Sequence, residues 1–253
     1  MTVNSLASNV RRCVTLLGLL ILWEAGARVG WMDPFYLPPP STVGRVMFTL
    51  AVSGELWPHL GATAVAAFAG LLVGLGLGIG LGFAAALSPI LAELLEPVMI
   101  LLNAIPRVIL APLFVIWLGI GLASKLALAT VLVAVLIFFS VYNGIKEVDP
   151  RLVERIRTLG GGRRILIGEV YIPSVTAWVM GNFKVAVGFA FTGAVVGEFV
   201  ASSRGLGYLL QFAQSTYNAA LTIALVVIIM TFVLLLFTIA ERLERHLLAW
   251  RYL

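Results

Sequence analysis

Long uncharged stretches constrain the fold of this chain more than any other feature of its sequence. Residues 56–92 contain no Asp, Glu, Lys or Arg, and residues 126–145 are equally free of charge between Lys125 and Lys146. A charged side chain at the centre of a bilayer costs about 3 kcal/mol or more, so apolar runs of about 20 residues predict membrane-spanning helices. The composition agrees, because 61% of the residues are hydrophobic and only 11% are charged. We predict an all-α integral membrane protein.

Charged residues mark the ends of about six predicted spans. A cleaved signal peptide is an alternative for the first span, because Arg11 and Arg12 precede an apolar run and Ala25-Gly26-Ala27 resembles a cleavage site. Removing that segment would leave an odd number of spans, which favours a retained helix. We therefore predict one membrane domain over residues 1–253, with a core at about 59–245. The predicted spans cover residues 13–31, 59–87, 97–118, 126–145, 171–201 and 219–240.

The distribution of Lys and Arg predicts the orientation in the membrane. One side holds the termini and the loop over residues 146–171, and the other side has only Arg28, Arg45, Lys125 and Arg204. We expect both termini and that loop to be cytoplasmic. Basic residues at span ends report membrane orientation, so the net charge of +5 does not indicate a nucleic-acid partner. The basic residues of the first side are Arg11, Arg12, Lys146, Arg151, Arg155, Arg157, Arg163, Arg164, Arg242, Arg245 and Arg251.

The charged loop is predicted to contain a short helix. Asp149 followed by Pro150 is a typical helix start, and Gly160-Gly161 is a typical stop. Between them, Leu152, Ile156 and Leu159 fall on one face, flanked by arginines. Such a basic amphipathic helix either rests on anionic lipid or docks on a partner protein, and the spacing alone does not decide between the two.

A signature in the same loop distinguishes these interpretations. Glu154, Gly160, Val170, Ile172 and Pro173 match the spacing of E-A-A-x-x-x-G-x(9)-I-x-L-P, so the segment resembles the cytoplasmic signature of ABC importer permeases. The segments "LPPPSTV", "NAIPRVILAPLFVIWLGIG", "DPRLVERIRTLGG" and "VVGEFVASSRGLGYL" are similar to the subgroup that serves nitrate, sulfonate, taurine and bicarbonate. The similarity covers nearly the whole chain from Trp23.

The resemblance implies a type I ABC importer permease fold with a coupling helix at residues 149–161. Glu154, Ile156, Leu159, Gly160 and Pro173 are then expected to couple the chain to an ATPase, with Glu154 as an ionic contact and Gly160 as the turn. The two alanines of the signature are replaced here by Arg155 and Ile156, which changes how the helix seats in its receiving groove.

Further expectations about partners follow from the same resemblance. The chain would be a non-catalytic permease subunit in a bacterial cytoplasmic (inner) membrane. Its partners would be two copies of an ATP-binding subunit, an external substrate-binding protein, membrane lipid and a second permease copy in a homodimer. The solute would be a small anion of the nitrate, sulfonate, taurine or bicarbonate type.

Charges inside the predicted spans are the candidates for the translocation path. Lys184 is expected near mid-membrane, roughly 16 Å beyond Pro173. Arg107 is similarly deep, with Asn103 one turn before it and Pro106 beside it to bend the helix. A structural alternative for Lys184 is pairing with another helix or snorkelling to the interface.

The sequence gives separate expectations for four other residues. Glu198 is a further path or outer-gate candidate, and its structural alternative is pairing at a helix end with a basic group such as Arg204. Glu24 is expected to pack buried against another span. His59 and His246 have no Cys or carboxylate cluster at ligand spacing, so we predict no metal site and no cofactor.

Two other classes of function are weighed against the importer. A secondary transporter would need ion-coupling carboxylates and usually internal repeats, and an intramembrane enzyme would need a positioned nucleophile and base. Neither pattern is evident, and the glycine-rich stretch "GLLVGLGLGIGLG" lacks the Lys and Ser/Thr of a phosphate-binding loop. Its small residues recur at every fourth position, which predicts close helix packing in lipid. They are Ala62, Ala66, Gly70, Gly74, Gly78, Gly82 and Ala86.

Overall fold

The computed structural model describes residues 3–247, and the side chains of residues 3–9, 12, 13, 107 and 247 lie outside the description. No strand occurs within residues 3–247, so the predicted all-α class is confirmed. A π-helical turn, Ile167–Tyr171, joins α8 to α9. The helices are α1 (Val3–Val29), α2 (Pro40–Val52), α3 (Leu56–Leu87), α4 (Pro89–Ala104), α5 (Arg107–Leu118), α6 (Leu122–Lys146), α7 (Pro150–Thr158), α8 (Arg163–Leu166), α9 (Ile172–Val200), α10 (Leu206–Ser215) and α11 (Ala219–Leu247).

Within the described residues, four helical segments are long and apolar enough to cross a membrane. They are Leu56–Leu87, Leu122–Lys146, Arg163–Val200 and Ala219–His246, and the bent pair α4–α5 makes a fifth if it is one span. The first predicted span, residues 13–31, overlaps α1 (Val3–Val29), which is not among these segments. The chain is therefore multi-pass, as predicted.

The small residues of α3 pack against α6. A Cβ on Gly74 would lie 2.6 Å from the Cβ of Val133, and one on Gly78 would lie 2.7 Å from the Cβ of Ile137. The same four-residue spacing on both helices lets the ridges of one fit the grooves of the other. The residue numbers of the facing pairs rise together along the two helices. α3 and α6 therefore run in the same direction. The prediction of close packing is confirmed.

The helix α9 crosses α6 in the opposite direction. A Cβ on Gly193 would lie 2.6 Å from the Cα of Ala129, and a Cβ on Gly197 would lie 3.1 Å from the Cα of Lys125. Much of α6 is buried by these contacts, including Val133 and Ile137. The central position of α6 explains its uncharged sequence. Successive crossings alternate in direction if the α4–α5 pair is one crossing between α3 and α6.

The third predicted span is broken rather than continuous. Ile105 leaves the helical region at φ −70° and ψ 126°, because a residue before proline is pushed out of the α conformation. Pro106 then precedes α5, and the axes of the two helices differ by 110°. The sequence predicted a bend at Pro106 within residues 97–118, and the structure instead has two helices, the first of which begins at Pro89.

Contacts divide the chain into two compact units. One comprises His59–Tyr208 with Thr231–Leu253, and the other comprises Met1–Pro58 with Leu209–Met230. Within the second unit, Glu24 of α1 accepts hydrogen bonds from the backbone N–H (2.9 Å) and hydroxyl (2.8 Å) of Ser41 and from Arg28 Nε (2.6 Å). It thereby caps α2, whose own N-cap residue, Pro39, has no polar side chain. The assignment of one domain to residues 1–253 stays a prediction.

Candidate functional site

The helix α7 has a complete set of capping interactions. The Asp149 side chain accepts from the backbone N–H of Arg151 at 2.9 Å, which satisfies one amide of the first turn. At the other end, Gly160 has φ +79°, and its N–H donates to the Arg157 carbonyl at 3.0 Å. The N–H of Gly161 donates to the Ile156 carbonyl at 2.8 Å. This pair of bonds is the Schellman motif, which ends the helix where the sequence predicts.

The expected coupling residues lie in α7, directly after it, or in the first turn of α9. Glu154 is exposed, and Leu159 is 79% exposed. Ile156 is half-buried, and a Cβ on Gly161 would lie 2.5 Å from its Cγ2. Pro173 is in the first turn of α9. α7 and the start of α9 together line a recess of about 520 Å³, which includes Leu152, Arg155, Ile156, Leu159, Glu169 and Pro173.

Lys184 is paired with a carboxylate on another helix. Its Nζ is 3.6 Å from Glu241 Oε2, and the two side chains are 44% and 43% exposed. Glu241 Oε1 also accepts from Arg245 Nη2 at 2.6 Å. The Lys184 Nζ is 5.6 Å from the ring centroid of Phe237. The pairing of Lys184 with another helix, which the sequence left open as an alternative, is the arrangement observed.

Glu198 lies in the interior and pairs with Lys125. The residue is only 1% exposed, and its Oε1 is 3.6 Å from Lys125 Nζ. Its Oε2 accepts from Thr63 Oγ1 at 2.8 Å and from the Gly207 N–H at 3.1 Å. The alternative that Glu198 pairs with a basic group is the arrangement observed, with Lys125 in place of Arg204. Arg204 contributes its backbone carbonyl, which accepts from Lys125 Nζ at 2.7 Å. A buried carboxylate requires such partners.

Residues around this pair extend it into what we call the Glu198 cluster, consisting of His59, Thr63, Lys125, Glu198, Gly205 and Gly207. The Gly205 N–H donates to His59 Nδ1 at 3.1 Å, and the Leu206 N–H donates to Thr63 Oγ1 at 2.8 Å. Gly205 has φ +127°, and a Cβ there would overlap the Glu198 carboxyl group. The cluster thus joins α3, α6, α9 and the start of α10.

The two remaining path candidates are in the broken segment. Asn103 is exposed near the end of α4. Arg107 begins α5, and its side chain lies outside the described part of the structure. Among the described residues, no group of three His, Cys, Asp or Glu is placed to hold a metal ion.

Sequence reasoning missed three of the residues that make these contacts. The sequence pattern indicates only that Lys125 precedes a span, that Thr63 lies within an apolar run, and that Glu241 follows the last span. Lys125 and Glu198 are far apart in sequence, so only the antiparallel register of α6 and α9 brings them together. For Lys125 and Glu241, the available signal was a charged residue next to the predicted end of a span.

Several membrane-spanning helices, with an exposed and capped helix in the loop between two of them, define a multi-pass membrane protein. The chain belongs to the family of binding-protein-dependent transport system inner membrane components, which matches residues 74–249.

Relatives of known designation are transport permeases. The riboflavin transport system permease protein RibX of Chloroflexus aurantiacus is 37% identical over 94% of this chain and 88% of the relative. The putative aliphatic sulfonates transport permease protein SsuC of Escherichia coli is 31% identical over 92% of this chain and 89% of the relative. The taurine transport system permease protein TauC of the same organism is 29% identical over 93% and 88%.

Solved structures show the same fold. The inward-facing MetNI methionine ABC transporter aligns with a TM-score of 0.61 at 24% identity, over 79% of this chain and 97% of that chain. An amino acid ABC transporter aligns with a TM-score of 0.61 at 17% identity, over 78% and 96%. The type I ABC importer permease fold is therefore confirmed. This chain is a permease subunit of an ABC importer in the inner membrane.

Proposed function

We propose that this permease subunit takes its energy from a separate ABC ATPase that docks on α7, and that a pair of copies forms the path for a small solute. An external binding protein delivers the solute. The observation that carries the proposal is α7 itself, an exposed and fully capped helix at the residues that match the family signature. ATP hydrolysis takes place in the partner, and this chain transmits the motion.

Each signature residue has a proposed part in docking. Glu154 makes an ionic contact with the ATPase, and Leu159 inserts its exposed side chain into the receiving groove. Gly160 permits the sharp turn, since its positive φ strains any residue with a Cβ. Ile156 of α7 and Pro173 of α9 line the same recess, so movement of the ATPase passes from α7 into α9.

Affinity purification in mild detergent tests this docking. The wild type should bring down an ATPase subunit, and Gly160→Asp and Glu154→Ala should weaken or lose it. Gly162→Asp is the matched control, because this neighbouring glycine has an ordinary φ of −81° and open space at its Cβ. If the wild type recovers no ATPase, the proposal is wrong.

The translocation path is proposed to run beside Lys184, with Arg107 and Asn103 contributing from the broken segment. A half-exposed ion pair within a span is costly against lipid, so the face of α9 and α11 that carries Lys184 and Glu241 should meet water or protein. The Glu198 cluster is proposed to hold the end of this path in shape, because Glu198 is too buried to meet a solute in this conformation.

The assembly proposed around this path is a homodimer with both termini in the cytoplasm. A path at a two-fold interface suits a subunit whose six predicted helices pack too closely to enclose a channel alone. The Lys and Arg distribution supports the orientation.

A small anion is the proposed solute, in keeping with the relatives that serve sulfonates and taurine. A riboflavin-like heterocycle is the second candidate, because the chain is 37% identical to RibX. Uptake of radiolabelled taurine, methanesulfonate and riboflavin should be compared in cells that express the permease with its ATPase and binding protein. Gly160→Asp serves as the uncoupled control. Uptake of riboflavin alone would replace the first candidate with the second.

A further inference from the structure

The arginines of α7 have no acidic partner within the described chain. Arg151, Arg155 and Arg157 are all exposed, and the ion pairs found among residues 10–246 lie elsewhere. Asp149 is engaged in capping the helix. Arg163 and Arg164 are also exposed, so five arginines share this surface with the exposed carboxylates of Glu154 and Glu169. The surface is basic on balance, and none of its arginines is held in an ion pair.

Of the two residues that replace the usual alanines, only Arg155 changes the charge of the outer surface. Ile156 is half-buried, and its Cγ2 packs where Gly161 leaves room for it. Ile156 also lines the recess and adds an apolar side chain to it. Arg155 is exposed and places a positive charge where the family signature has a methyl group.

The surroundings of Arg155 form a concave and partly apolar surface. It lines the recess of about 520 Å³ together with Leu152 and Leu159, which are 50% and 79% exposed. Glu169 lines the same recess, yet no ion pair joins it to Arg155. An apolar recess beside an unpaired guanidinium fits a partner that presents an apolar group next to a carboxylate.

We propose that Arg155 is a specificity residue for the ATPase, and that the ATPase surface that receives α7 carries an acidic side chain opposite it. This inference rests on the proposed docking at α7 and names the chemistry of the partner. The fork of the guanidinium suits a bidentate contact with a carboxylate. An ATPase from an importer with the usual alanine there would lack this contact.

Anionic lipid is the other class of partner that a basic helix attracts. A protein is favoured because the apolar side chains around Arg155 border a recess rather than a flat face. A helix that rests on lipid instead presents a continuous apolar face to the membrane.

The test measures binding of the cognate ATPase to the purified permease in detergent at about 50 and about 500 mM NaCl. The variants are Arg155→Ala and Arg155→Glu, with Ile156→Ala beside them. Arg164→Glu is the matched control, because it makes the same charge change on α8, outside the recess. Wild-type affinity should fall with salt. Arg155→Glu should bind about tenfold more weakly or worse at low salt, and Arg155→Ala should lose part of the salt dependence.

Three results would overturn the inference. Equal loss in Arg155→Glu and Arg164→Glu would indicate a diffuse field rather than a specific contact. Unchanged ATPase affinity in Arg155→Glu would mean that no acidic side chain of the ATPase lies opposite Arg155. Unchanged ATPase affinity with lost thermal stabilisation by added phosphatidylglycerol would assign Arg155 to lipid. In each case the ATPase still binds, whereas no binding to the wild type would instead contradict docking at α7.

Discussion

At the residue scale, the Glu198 cluster shows how a chain with few charges uses two of them inside the protein. The side chains of Lys125 and Glu198 are 7% and 0% exposed, and each also has a hydrogen bond to another group. Breaking a buried ion pair leaves the remaining charge unpaired, which is more harmful than lacking the pair altogether. The cluster therefore stabilises one arrangement of α3, α6 and α9.

We predict that Glu198→Gln destabilises the permease by about 3 kcal/mol or more, because Lys125 is then buried without a counter-charge. Thermal unfolding in detergent measures the effect. The double variant Lys125→Met with Glu198→Gln should recover part of the loss. Glu24→Gln is the control, since the side chain of Glu24 is 25% exposed and its loss should be smaller. A Glu198→Gln variant as stable as the wild type would contradict the prediction.

Lys184 gives a prediction for transport. If its charge meets the solute, Lys184→Ala should lower uptake and Lys184→Arg should retain most of it, with the ATPase still bound. Glu241→Gln is the necessary comparison, because it removes the ion-pair partner and keeps the lysine. Normal uptake in Lys184→Ala would exclude a transport role. Equal loss of uptake in Lys184→Ala and Glu241→Gln would indicate that the pair acts only in packing.

At the scale of elements, the seam between α3 and α6 depends on glycines that lie four residues apart. Gly74 is in contact with α6, and a Cβ there would lie 2.6 Å from the Cβ of Val133 and 2.9 Å from the Thr130 carbonyl oxygen. Gly76, two residues on, has nothing within 4 Å of the position of its Cβ. One helix therefore carries both a tight position and an open one.

This difference predicts opposite effects of the same substitution. Gly74→Ala should destabilise the protein by about 1–3 kcal/mol, because the backbones of α3 and α6 must separate. Gly76→Ala should be neutral or slightly stabilising, because alanine is the better helix former. Thermal unfolding of the two variants side by side is the measurement. A larger loss in Gly76→Ala would mean that the seam lies on another face of α3.

Much of this element order was predictable from the sequence. Charges bracket α6, Asp149-Pro150 and Gly160 delimit α7, and the spacing of small residues reveals the packed face of α3. Three helices, α2, α8 and α10, were missed because none of them is long or uniformly apolar. The break at Pro106 was predicted only as a bend, because sequence shows that a proline disrupts a helix and not how far the chain then turns.

The site was less predictable than the fold. Local signals identified α7, since its caps are neighbours in sequence. The partners of Lys184 and Glu198 are on other helices, and the register between helices depends on packing along their whole length. The register between two helices cannot be predicted from a single sequence. Glu241 and Lys125 were therefore overlooked as partners.

At the scale of the whole molecule, the chain combines several membrane-spanning helices with α7, the proposed docking helix, and its sequence contains no nucleotide-binding motif. In the proposed function, import depends on an ATPase that meets α7 on the cytoplasmic side. Leu159 and Tyr217 allow that arrangement to be tested with matched positions. They are 79% and 78% exposed, and the predicted topology places them on opposite sides of the membrane.

The most direct test is site-specific cross-linking to the ATPase in native membranes. The chain has one cysteine, Cys13, so Leu159→Cys and Tyr217→Cys are each introduced into a Cys13→Ser background. We expect a short reagent that is thiol-reactive at one end and photoreactive at the other to link Leu159→Cys to the ATPase, and Tyr217→Cys to give no such product. Absence of an ATPase adduct at Leu159→Cys, or an equal adduct at Tyr217→Cys, would contradict docking at α7.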